Sequence, residues 1–152
     1  MLYRVIIFLA LNFAALAIGG FWARGGSSSA WYQGLAKAPW TPPGWVFGSA
    51  WALIMICFAF YMATAWKSVV NYKMLLILFI AQWILNIIWN PTFFNFHLVL
   101  PGLILISLLT ILVFYFFFNY YSTLKGFSFL LLPYMIWLLI ATSLNAYILF
   151  NN

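Results

Sequence analysis

Not one aspartate or glutamate occurs among the 152 residues. A chain without carboxylates has no acid or base of that type for catalysis, no hard oxygen ligands for calcium or magnesium, and no carboxylate relay for moving protons across a membrane. Cysteine is nearly as scarce. Cys57 stands alone in an apolar run, so no intrachain disulfide can form and the redox compartment is left unmarked. His97 is the one histidine and has no cysteine or carboxylate company, so no metal site is expected and an interfacial role is the simpler reading. Charged residues make up 4% of the chain, where a soluble domain carries about a quarter.

What is present is hydrocarbon and aromatic ring. The chain is 68% hydrophobic, with nine Trp, nine Tyr and seventeen Phe and a mean hydropathy of +1.12. Interfacial belts need only a few aromatic residues per helix end, so the remainder must line or pack something. Apolar runs of about 20 residues cross a bilayer core as helices, because lipid offers no partner to free amide groups. Five such runs, roughly 2–21, 45–66, 74–94, 98–120 and 127–150, predict an all-α, multi-pass integral membrane protein. The expected architecture is one domain, 1–152, a bundle of five transmembrane helices with a long, partly ordered first loop at 22–43. The third and fourth connections are short, which makes the helices they join antiparallel neighbours. The first run resembles a signal peptide in following Arg4, but Gly19-Gly20-Phe21-Trp22 is a poor cleavage site.

The first loop exceeds the usual length of a structureless connection. Gly25-Gly26-Ser27-Ser28-Ser29 reads as flexible, whereas Pro39, Pro42 and Pro43 fix φ along the aromatic stretch that follows, which predicts a folded lid. Pro43 suits the first turn of the second helix, with Thr41 as a nearby cap. Arg4, Lys67, Lys73 and Lys125 fall on one side of the expected topology and only Arg24 and Lys37 on the other. That bias places the N-terminus inside and the lid outside, and the compact loops with no evident targeting extension point to a bacterial cell membrane. The net charge of +6 favours anions or anionic headgroups; no nucleic-acid partner is expected.

Three patterns could carry function. Gln82, Asn86 and Asn90 form an amide stripe at i, i+4, i+8 with Trp89 beside it. Amides facing hydrocarbon cost several kcal/mol, so the stripe faces the bundle interior, either as a cavity wall or as interhelical hydrogen bonding. Tyr134, Trp137, Ala141, Leu144 and Ile148 share one face of the fifth span, with Asn145 adjoining, and Phe47, Trp51, Met55 and Phe58 one face of the second. Such stripes serve more often as core than as ligand site, but these converge near the lid. The second, third and fifth spans then enclose a slot with aromatic walls and a few amides, suited to a large planar ligand with peripheral acid groups. Ala15 and Gly19 form a small-xxx-small pair in the first span, a weak signal for close helix contact.

With these residues in view, the chain resembles the translocator protein family, the tryptophan-rich sensory proteins (TspO/MBR), over nearly its whole length. The marks are Trp31-Tyr32 with Leu35, Lys37 and Trp40-Thr41-Pro42-Pro43; Trp51; Gln82, Leu85-Asn86, Trp89, Pro91 and Phe93-Phe94; and Pro133-Tyr134, Trp137, Ala141-Thr142 and Leu144-Asn145. The resemblance implies a five-helix bundle, usually a homodimer, that binds protoporphyrin IX and related flat hydrophobic molecules as sensor, carrier or transporter. No further cofactor is required, and the porphyrin is the ligand. It also implies that Tyr32, Trp40, Trp51, Met55, Asn86, Trp89, Trp137, Ala141 and Leu144 line the pocket under the lid. Light-dependent porphyrin breakdown, if present, would fall to Trp51 and Trp137; a non-catalytic scaffold in contact with membrane lipid is the remaining reading. Three departures stand out. Lys37-Ala38-Pro39-Trp40 replaces Lys-Pro-x-Trp, Tyr147 has no basic residue after it to complete a sterol-contact pattern, and the fourth span lacks an acidic residue.

Overall fold

The computed structural model describes residues 1–152. The chain forms α1 (Leu2–Trp22), a short α2 (Ala30–Gly34), α3 (Gly44–Ser68), α4 (Tyr72–Phe94), α5 (Val99–Leu124) and α6 (Leu132–Asn151), with no strand. Each long helix is apolar nearly all round, as a helix must be when one face meets a core and the other meets lipid. Tyr61, Phe58, Phe116, Leu109 and Leu138 are fully buried, while Phe21, Ile77, Ile111 and Phe118 point outward.

The five long helices close into a ring. α1 packs between α3 and α4, α4 against α5, α5 against α6, and α6 returns to α3. α3 and α4 are joined by three residues, 69–71, yet α1 separates them over most of their length. Asn71 ends that turn by capping α4, its side chain accepting the Met74 N–H at 3.1 Å. Two glycines let helices approach closely. A Cβ on Gly19 of α1 would lie 3.0 Å from the Asn90 side chain of α4, and one on Gly102 of α5 would lie 3.1 Å from Phe93. The small pair Ala15 and Gly19, both buried, is thus consumed inside the chain.

Four uninterrupted helical stretches are long and apolar enough to cross a membrane, where the sequence suggested five. The difference lies in Val99–Asn151, a single helical run of 53 residues that holds both α5 and α6. Its turn at Lys125–Leu131 stays in 3-10 conformation, so the chain reverses without an irregular loop. α6 accordingly starts at Leu132 instead of near 127, and α5 continues to Leu124.

The lid is folded through short-range bonds. A 3-10 turn at Gly26–Ser28 leads to Ser29, whose hydroxyl accepts the Tyr32 N–H at 3.3 Å and so caps α2. Gln33 donates through Nε2 to the Ser27 carbonyl at 2.7 Å. Thr41 does not cap α3: its hydroxyl donates back to the Ala38 carbonyl at 2.7 Å, closing a turn within the lid. Pro43 stands just before α3, not in its first turn. The far end of the lid is tied to the chain's last residue. The Ala36 N–H donates to Asn152 Oδ1 at 2.8 Å, and Asn152 Nδ2 donates to the Ala36 carbonyl at 3.2 Å. One side-chain amide thereby satisfies both polar groups of an exposed peptide position.

Candidate functional site

Beneath the lid, three helices and α2 bring their aromatic side chains to one point. The slot is lined by Tyr32 of α2, Phe47 and Trp51 of α3, Trp89, Phe93 and Phe94 of α4, and Trp137, Ala141, Leu144, Asn145 and Ile148 of α6. The periodicity explains the placement. Phe47 and Trp51 are one turn apart on α3, and Trp137, Ala141, Leu144 and Ile148 follow one another at i+4, i+3 and i+4 on α6, so each set projects from a single face.

Of the residues the sequence singled out, Tyr32, Trp51, Trp89, Trp137, Ala141 and Leu144 meet here. Three do not. Met55 is completely buried one turn below Trp51, where its carbonyl accepts a hydrogen bond from Asn12 Nδ2 at 3.1 Å. Asn86 is buried outside the lining, and its carbonyl accepts from Asn90 Nδ2 at 3.0 Å. Trp40 lies on the outer side of the lid, 55% exposed, with Nε1 donating to Ser143 Oγ at 3.1 Å and its ring edge-on to Tyr147. The family resemblance implied that Trp40 lines the pocket; the prolines around it fix where the chain bends but not which side of it faces the bundle.

Five lining residues were not among the expected ones: Phe47, Phe93, Phe94, Asn145 and Ile148. Phe47, Asn145 and Ile148 could have been found from the stripes, each belonging to or adjoining one. Phe93 stands at i+4 from Trp89 on α4 and so shares its face, a relation the spacing already offered, whereas Phe94 is the last residue of the helix and enters the slot from beside it.

The slot is closed. Its volume is about 10 Å³, room for no more than one water molecule. The roomy, enclosed slot expected from the sequence is instead filled by aromatic rings. Phe47 meets Trp137 at 5.3 Å between centroids and 89°, and Trp51 meets Tyr134 at 5.9 Å and 76°. Trp89 lies parallel to Phe93 at 6.3 Å and edge-on to Phe94. Contacts of this type contribute about 0.5 to 1.5 kcal/mol each beyond burial.

The polar groups of the slot are not satisfied. Trp89 Nε1, Trp137 Nε1 and Asn145 Oδ1 are buried and have no partner within the protein. Asn145 uses its Nδ2 on the Ala141 carbonyl at 2.9 Å, which leaves the amide oxygen free. Two donors and one acceptor of this kind cost about 1 to 3 kcal/mol apiece, and all three belong to residues lining one slot. Below it the chain does satisfy a polar group: Gln82 Nε2 donates to the Tyr134 hydroxyl at 2.7 Å, linking α4 to α6. The expected amide stripe therefore splits, Gln82 bridging helices and Asn90 bonding within its own.

Charge reaches the slot only through the lid. Lys37 Nζ lies 5.4 Å from the centre of the Tyr32 ring and is held by the Gln33 carbonyl and side chain at 3.2 and 3.0 Å. Burial raises the Tyr32 phenol above its ordinary pKa, so the hydroxyl remains protonated well into the alkaline range. Beside Tyr32 on α2, Trp31 stacks on His97 with centroids 4.2 Å apart and planes within 13°, and its edge meets Phe93.

A ring of apolar helices with an aromatic slot under a basic lid defines a small helical membrane protein, and comparison with known proteins gives its family. The TspO/MBR family model matches residues 7–150. Tryptophan-rich protein TspO of Archaeoglobus fulgidus is 35% identical over 145 residues, 93% of this chain and 94% of that protein. Protein CrtK of Rhodobacter capsulatus is 32% identical over 90% of this chain and 87% of its own. The human translocator protein is 29% identical over 79% of this chain and 73% of its own. The chain belongs to the TspO/MBR family and is a membrane protein.

Proposed function

We propose that this protein is a membrane-embedded binding protein for porphyrins and related flat hydrophobic molecules, acting as sensor, carrier or transporter in tetrapyrrole and stress homeostasis. The observation that carries the reading is the cluster of unpartnered polar atoms, Trp89 Nε1, Trp137 Nε1 and Asn145 Oδ1, among aromatic faces. A porphyrin answers each part: its plane stacks on indole, its carboxylates accept from indole N–H groups, and a peripheral carboxyl in its protonated form donates to the amide oxygen. Lys37, beside Tyr32, is the cation available to a carboxylate. Because the slot holds about 10 Å³, binding requires the lid to lift and Phe47 to turn away from Trp137. The lid is suited to this, being fastened to α6 by hydrogen bonds at its exposed rim.

In this reading α5 and α6 each cross the bilayer, giving five spans, with the N-terminus inside. The membrane is a bacterial cell membrane, and the protein works as a homodimer. The experiment is a titration of the purified protein with protoporphyrin IX, followed by quenching of tryptophan fluorescence. Trp51→Phe and Asn145→Leu are expected to weaken binding by about three- to tenfold, corresponding to ~1 kcal/mol for each lost stacking or hydrogen-bonding contact. No quenching in the wild type, or equal affinity in both variants, refutes the proposal.

A second reading adds light- and oxygen-dependent degradation of the bound porphyrin, with dioxygen as the oxidant, and the presence of Trp51 and Trp137 in one slot favours it. It predicts a defined product under illumination that disappears in Trp51→Phe and Trp137→Phe even at porphyrin concentrations that saturate their weakened sites. Bleaching at the rate of free porphyrin in detergent removes it.

A further inference from the structure

The largest cavity in the molecule is at the other end of the bundle. It is a groove of about 780 Å³ lined by Phe60, Thr64 and Ser68 of α3, by Lys125 and Phe127 of the turn after α5, and by Leu130. That volume is within the usual range for small-molecule sites, roughly 300 to 1,000 Å³. None of its residues belongs to the aromatic slot.

Both walls of the groove change from apolar to polar in the same direction. On α3, Phe60, Thr64 and Ser68 stand at i, i+4 and i+8, one above another over about 12 Å at 1.5 Å per residue. Phe60 lies deepest in the bundle and Ser68 at the helix end. On the facing wall, Lys125 opens the turn, and Phe127 and Leu130 follow it toward the start of α6. Phe60 and Phe127 are 44% and 55% exposed, so the deep end is open to acyl chains, and the shallow end offers hydroxyl groups and an ammonium.

Lys125 is held in place at some cost. Its φ is +48°, a conformation that L residues avoid and that glycine would adopt freely, yet the glycine of this turn is the next residue, Gly126. A Cβ on Gly126 would meet nothing within 4 Å, so no crowding requires the arrangement. The charge of Lys125 has no counterion, because the chain contains no carboxylate side chain at all. The carbonyl ends of α3 and α5 also reach this level, and Lys67 and Lys125 stand at those ends to compensate them.

From this complementarity we infer that the groove is a binding site for an anionic phospholipid of the membrane. The phosphate sits at Lys125 and Ser68, and an acyl chain lies along Phe60, Phe127 and Leu130. A zwitterionic lipid offers the same tail but no net charge for Lys125, so the site discriminates by headgroup.

The test uses the full chain reconstituted in vesicles of equal phosphatidylglycerol and phosphatidylcholine, then extracted, with retained lipid counted by native mass spectrometry. The wild type is expected to retain phosphatidylglycerol preferentially. Lys125→Gln should reduce that preference about fivefold, the effect of one basic residue at an anionic surface. Ser68→Trp, at an exposed position that fills the mouth, should lower retention of both lipids, and Lys73→Gln should change nothing. Dissolved glycerol phosphate should fail to displace the lipid. Equal retention of the two lipids by the wild type, or the same loss in Lys73→Gln as in Lys125→Gln, overturns the site, and displacement by glycerol phosphate overturns its assignment to a lipid. An unchanged preference in Lys125→Gln with Ser68→Trp also silent overturns it as well.

Discussion

Replacing Trp137 with phenylalanine tests whether the slot is kept imperfect for a ligand. In the structure the Trp137 indole is 5% exposed, packs edge-on to Phe47 and has no acceptor for its N–H. An unsatisfied buried donor costs about 1 to 3 kcal/mol, and phenylalanine removes that cost. It also removes part of the ring, and the loss of buried area and the space left behind cost an amount of the same order. The two terms oppose, so Trp137→Phe should change stability by less than about 1 kcal/mol. Porphyrin affinity should nevertheless fall about tenfold, equal to ~1.4 kcal/mol for the lost N–H contact. Trp83 supplies the control. Its Nε1 donates to the Leu11 carbonyl at 2.8 Å, joining α4 to α1, so Trp83→Phe loses packing and a bond together. It should destabilise by about 1 to 2 kcal/mol with no change in porphyrin binding. Thermal unfolding in detergent, read by circular dichroism, gives the stabilities, and fluorescence titration gives the affinities. The reasoning fails if Trp137→Phe loses as much stability as Trp83→Phe and binds porphyrin as well as the wild type.

Other consequences are open to measurement. Tyr134→Phe strands Gln82, whose Nε2 donates to that hydroxyl and whose Oε1 already lacks a partner; a loss of about 0.6 to 3 kcal/mol is expected. Gln82→Leu in the same background should restore most of it, and a double variant weaker than Tyr134→Phe contradicts the pairing. Asn152→Ala removes both bonds to Ala36 and should speed hydrogen exchange across residues 33–40 and porphyrin association, with the melting temperature nearly unchanged; slow exchange in the variant would show that the lid is held elsewhere. Because burial raises the Tyr32 pKa, the phenol favours the folded lid fully below its ordinary value near 10. That contribution is lost as pH rises through the higher folded value, so the lid should loosen only in alkaline solution, and Tyr32→Phe should flatten the dependence. Tyrosinate absorbance and exchange rates across the lid, followed against pH, check this.

Composition alone determined the class of molecule. Without carboxylates and with apolar runs of span length, the chain has no way to stay hydrated, and hydrocarbon forces its backbone into helices. Helical period also placed Trp51, Trp89, Trp137, Ala141 and Leu144 on inward faces, because the period is local and survives whatever the helix packs against. Period carries no information about depth or partner. Met55 lies one turn below Trp51 on the same face and misses the slot, and Asn86 is buried without lining it. Those outcomes follow from which helices became neighbours, and α1 entering between α3 and α4 decided that. The outward turn of Trp40, the fastening of Ala36 by Asn152 across 116 residues, and the interlocked rings that close the slot are likewise contacts between distant segments. Each depends on the relative height and rotation of separate helices, quantities that a linear pattern does not contain and packing alone supplies.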